Sequence, residues 1–169
     1  AAGIQALSEL FEQEPAWVQE KAAAAEAFDD SQADALMAVD GMNDEAKNAM
    51  NAGDYESAIA AQEGALFVAM DALGPEHGLV VKANRELGET YFQLSMAQEA
   101  ESYLGAAMNG AVTAYGALYP VTLNVKARLG DLYRAVGMAA ESNALMDEVL
   151  AGYVKTFGEQ HPTTLQLQF

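Results

Sequence analysis

The chain has 169 residues, 51% of them hydrophobic, enough for one folded unit with a filled core. Its 25 acidic against 8 basic residues give a net charge of −17, which excludes a general attraction to nucleic acid or to an anionic membrane surface. No apolar run approaches the roughly 18 residues needed to span a bilayer, and the apolar share is carried by Ala, Leu, Met and Val with only 4 Pro, so the composition points to helices.

At the start of the chain, Ile4, Leu7, Leu10 and Phe11 fall on one helical stripe, and Pro15 restarts the chain. Trp17, Val18, Lys21, Ala22, Ala25 and Phe28 suit a second amphipathic helix, ended by Asp29-Asp30-Ser31. Residues 1–40 therefore read as an N-terminal helical cap, because stacked repeats need atypical ends over their exposed apolar faces. Residues 41–74 are expected to belong to a degenerate unit, with a first helix around Leu36 to Asn51 and a break at Gly53-Asp54.

From there the chain repeats itself. Gly74, Gly116 and Gly158 stand 42 residues apart, and in the same register Leu87, Gly88 and Tyr91 become Leu129, Gly130 and Tyr133. Leu66, Met108 and Leu150 form a triple, as do Leu73, Tyr115 and Phe157. Units 75–116 and 117–158 each divide into an A and a B helix, at Ser95-Met96 and Gly137-Met138, where a small residue ends one helix and begins a turn. Asn84, Leu87, Gly88 and Tyr91 are spaced i, i+3, i+4, i+7, one face of a helix, and Gly88 and Gly130 let a neighbour approach closely. Leu104, Ala107, Met108, Ala111, Val112 and Tyr115 give the B helix the same period. Pro120 and Pro162 suit the first turn of the next A helix, where a missing N–H costs nothing. Residues 159–169 begin a further A helix without its B partner, which points to a natural protein that continues.

Leu-Gly-x-x-Tyr, a turn, an Ala-rich second helix and then Gly158-x-x-His161-Pro162-x-Thr164 resemble the 42-residue tetratricopeptide variety of kinesin light chains and many bacterial repeat proteins. The likeness covers about Gly53 to Phe169; Ala49, Asn84 and Lys126 stand where that family has large apolar residues. It implies an all-α fold, a right-handed α-solenoid of antiparallel helix pairs, with A helices lining a concave groove that binds a peptide or protein segment. It also admits an alternative, the regulatory N-terminal array of a larger enzyme such as a bacterial caspase-like protease.

The residues offer no chemistry of their own. His77 and His161 occupy equivalent linkers two repeats apart, so a solenoid separates them and they form no shared metal or acid–base site. No phosphate-binding Gly loop or Gly-x-Ser-x-Gly elbow is present, and an EF-hand loop around Gly41 fails because Leu36 stands where an acidic ligand is required. Zero cysteines remove disulfides, thiolate metal sites and thiol nucleophiles, and fit a cytoplasmic chain and an exported one equally. The expectation is a non-enzymatic module without cofactor or metal.

Six of the eight basic residues, Lys47, Lys82, Arg85, Lys126, Arg128 and Arg134, lie on expected A helices, whereas the acids concentrate in the cap and the B helices. The groove is therefore expected to be nearly neutral or locally positive against an acidic exterior. Lys47, Met50, Lys82, Arg85, Phe92, Asn124, Arg128 and Arg134 are the expected partner-binding residues, suited to a segment that carries Asp, Glu or a C-terminal carboxylate. A plainer reading pairs Lys82 with Glu86, Arg85 with Glu89, and Arg128 with Asp131 as surface ion pairs within one helix. Self-association through the C-terminal repeat face is a further expected contact.

Overall fold

The computed structural model describes residues 30–166. Their order is α1 (Asp30–Ala52), α2 (Tyr55–Leu73), α3 (Gly78–Gln93), α4 (Ala97–Tyr115), α5 (Pro120–Ala135), α6 (Ala139–Phe157) and the short α7 (Pro162–Gln166). All regular structure among the described residues is helical. Consecutive helices pack as antiparallel pairs, α1 with α2, α3 with α4 and α5 with α6, and each pair rests on the next through α2–α3 and α4–α5.

Turn chemistry recurs with the sequence period. Gly53, Ser95 and Gly137 close the A helices with φ of 76°, 62° and 84°. At each, two bonds cap the helix: Gly53 N–H donates to Met50 O at 3.0 Å and Asp54 N–H to Ala49 O at 2.9 Å, and the other two turns repeat the pattern. Gly74, Gly116 and Gly158 stop the B helices at φ of 81°, 92° and 89°. Helix starts are fastened too: Asp54 accepts from Ser57 N–H at 3.1 Å, and His77 Nδ1 accepts from Leu79 N–H at 3.2 Å.

Burial follows the same register. Val39, Val81 and Leu123 are all buried, as are Ala58, Ala100 and Ser142, and Ala65, Ala107 and Val149. At these positions residues one period apart occupy the same environment, as a stack of helix pairs requires. Leu87, Leu104, Leu123 and Leu132 are fully enclosed, each such burial stabilising the fold by about 1.5–3 kcal/mol. Small residues set the distance between A and B helices: a Cβ built on Gly88 would lie 2.6 Å from Leu104 Cγ, and one on Gly152 would lie 2.5 Å from Leu123 Cδ2. At the equivalent crossing Ser142 Oγ donates to Gly130 O at 2.8 Å, which satisfies a buried hydroxyl.

The N-terminal expectations need revision. Asp30 and Ser31 lie within α1. The boundary expected between residues 40 and 41 falls inside α1, which runs unbroken through Gly41. The remainder of the expected cap, with the stripe from Ile4 and the helix from Trp17, lies outside the described residues. Asn84 and Lys126, the two polar residues among the three departures from a large apolar residue, are satisfied differently: Asn84 Nδ2 donates to Val80 O at 3.0 Å, whereas Lys126 Nζ reaches Glu148 on α6 at 2.7 Å.

Candidate partner-binding groove

Helices α1, α3 and α5 line one face of the stack, which carries three successive depressions. In the first, Asn43, Lys47 and Met50 of α1 face Lys82 and Glu86 of α3, with Asp40 and Asp44 beside them. The central depression, about 540 Å³, is lined by Lys82 and Arg85 of α3, by Pro120, Val121 and Asn124 of α5, and by Tyr115 and Tyr153. Glu89, Phe92 and Gln93 of α3 with Arg128 and Asp131 of α5 line the third. Of the residues expected to bind a partner, Lys47, Met50, Lys82, Arg85, Phe92, Asn124 and Arg128 line these depressions. Arg134 does not, and pairs with Asp131 at 2.9 Å.

Four cations of this face, Lys82, Arg85, Arg128 and Arg134, have acidic partners. Arg85 Nη1 donates to Glu89 Oε1 at 2.8 Å, with Glu86 3.6 Å away, and Lys82 lies 3.8 Å from Glu86. Arg128 departs from its expected in-helix partner: its Nε reaches Glu89 of α3 at 3.2 Å, leaving Asp131 to Arg134. Five bases (Lys47, Lys82, Arg85, Arg128, Arg134) thus share the face with five acids (Asp40, Asp44, Glu86, Glu89, Asp131), so it is close to charge balance. Lys126, although on an A helix, points to α6 instead.

Tyr115 and Tyr153 were not among the expected groove residues, because they lie on B helices in the apolar register. Tyr115 reaches the central depression because Gly78 has no side chain: the phenol oxygen occupies the space a Cβ there would fill. Burial pushes the pKa of both phenols up, which keeps them protonated as donors. Three further tyrosines serve the stack, Tyr91 and Tyr133 on A helices and Tyr103 on a B helix. Tyr91 and Tyr103 stack at 5.4 Å and both donate to Glu63 of α2, at 3.2 and 3.0 Å, while Tyr133 donates to Glu101 of α4 at 2.8 Å.

Paired helices of this length, stacked through A–B turns that recur at one interval, define a helical-repeat protein, and the comparisons name the repeat. Residues 122–163 match the family model described as tetratricopeptide repeat. The fold is similar to a Podosopora anserina protein named for nearly identical TPR-like repeats of kinesin light chain type, at TM-score 0.66 and 23% identity, over 77% of this chain and 62% of that one. It is similar also to BtubC (BKLC) from P. vanneervenii, at TM-score 0.68 and 16% identity, over 91% of this chain and 63% of that one. The N-terminal domain of stress-induced protein-1 from C. elegans matches at TM-score 0.60 and 12% identity, over 84% of this chain and 100% of that domain. No curated protein matches the sequence. The described helices therefore share the fold of kinesin-light-chain-like tetratricopeptide repeats, which are in general protein-interaction modules. The chain spans less than two thirds of the length of the first two structures.

Proposed function

We propose that the face formed by α1, α3 and α5 captures an extended or short helical segment of another protein, and that the central depression seats a carboxylate of that segment. The observation that carries this reading is the lining of the depression: Lys82, Arg85, Asn124, Tyr115 and Tyr153 bring five donor side chains together, and no Asp or Glu is among the lining residues. The other two depressions contain acids, so this one offers the strongest attraction for an anion. Val121 and Pro120 add apolar wall, and Phe92 and Met50 extend it to either side, which suits alternate side chains of a bound peptide.

Titration of the protein with matched acidic and basic peptides tests the reading. The acidic series binds more tightly, with an affinity that falls as salt is raised. The double variant Arg85→Glu, Arg128→Glu loses that preference. Unchanged binding by the double variant removes the assignment of this face.

A further inference from the structure

A single carboxylate stands between the central depression and the third. Glu89 Oε1 accepts from Arg85 Nη1 at 2.8 Å and from Arg128 Nε at 3.2 Å, so one oxygen joins guanidinium groups on two neighbouring A helices. Arg85 lines the central depression, whereas Glu89 and Arg128 line the next. The three side chains keep 25%, 29% and 49% exposure for Arg85, Glu89 and Arg128, so the bridge is reachable from the groove. Glu86 holds its cations more loosely, 3.6 Å from Arg85 and 3.8 Å from Lys82. The tight internal acid is therefore Glu89, placed where an acidic side chain of a bound segment would meet the same arginines.

We propose that Glu89 is a built-in competitor that gates the groove: it occupies Arg85 and Arg128 in the unbound protein, and an acidic side chain of the partner must displace it. The inference rests on the acidic-segment reading above. Replacing one carboxylate by another on the same guanidinium groups gains little free energy, so Glu89 holds affinity down and rejects segments with weak or misplaced charge. It also ties α3 to α5, and displacement releases that tie.

Glu89→Gln keeps the shape and removes the charge. It raises affinity for an Asp/Glu-rich peptide about three- to tenfold, the range expected for release of partly exposed ion pairs. Binding of the Asn/Gln counterpart of that peptide stays constant. Calorimetric titration of the full chain reads both, beside Glu159→Gln, which removes the same charge at an exposed site away from the groove. An Arg128→Gln background abolishes most of the gain. Glu89→Ala follows the same order and serves if the amide variant does not fold. If the natural protein binds and Glu89→Gln binds equally or more weakly, the gate is overturned while the groove reading stands. An equal gain from Glu159→Gln assigns the effect to net charge and overturns it too. If no protein in the series binds the acidic peptide, both readings fall.

Discussion

On the side turned toward its own B helix, α1 matches α3: Val39 and Val81 are buried at equivalent positions, as are Ala46 and Gly88. On the stripe that α3 lays against the preceding pair, marked by Tyr91 bonding Glu63, the two helices part. Val80, Ala83, Leu87 and Thr90 are buried in α3, and Thr122, Val125, Leu129 and Leu132 repeat them in α5. Their counterparts in α1 are Ala38, Gly41, Glu45 and Asn48, all exposed. A helix can therefore keep its place in a pair while losing the face through which pairs stack. The change is confined to one stripe of polar and small residues, Ala38, Gly41, Glu45 and Asn48.

The comparison breaks most readily at its largest difference. Leu87→Ala lowers stability by about 2–5 kcal/mol, since it empties an enclosed site, whereas Glu45→Ala, one period earlier, stays within about 0.5 kcal/mol. Urea midpoints for the two variants measure this, and comparable losses would show the α1 stripe to be packed. Next comes the A–B crossing, where Ala46 already carries a Cβ. Gly88→Ala costs about 1–3 kcal/mol, because Leu104, including its backbone nitrogen, stands in the way. Gly130→Ala costs less, since the atom met is the Met146 sulfur at 3.2 Å, on a side chain that can turn aside.

The turns give a smaller effect of opposite sign. Ser95 holds φ 62° where Gly53 and Gly137 hold the equivalent turns, so Ser95→Gly stabilises by about 0.5–1 kcal/mol and Gly137→Ser reverses it. Thermal melts of the two variants should move in opposite directions. The smallest effect is at alkaline pH. Burial first, and then the Glu63 carboxylate, push the Tyr103 hydroxyl from 10.0 up to about 12. The folded state thus holds this proton more firmly than the unfolded chain, and the stability it contributes is intact below about pH 10 and lost as pH rises toward 12. Tyr103→Phe flattens the melting temperature over that interval, and an unaltered pH profile would show that the Glu63 contact carries none of it.

What the sequence by itself determined was whatever turn chemistry and side-chain period dictate locally. The three A–B turns and the glycines that stop the B helices were legible, because each needs only its own few residues to take one conformation. Only the tertiary structure decided how charges meet between helices. Arg128 turns from Asp131, on its own helix, to Glu89 on the next, Lys126 leaves the groove for Glu148, and Tyr115 enters it over Gly78. These outcomes depend on how closely neighbouring helices approach. Spacing along one helix carries no record of that distance, because it is set by the small residues and leucines packed between helices.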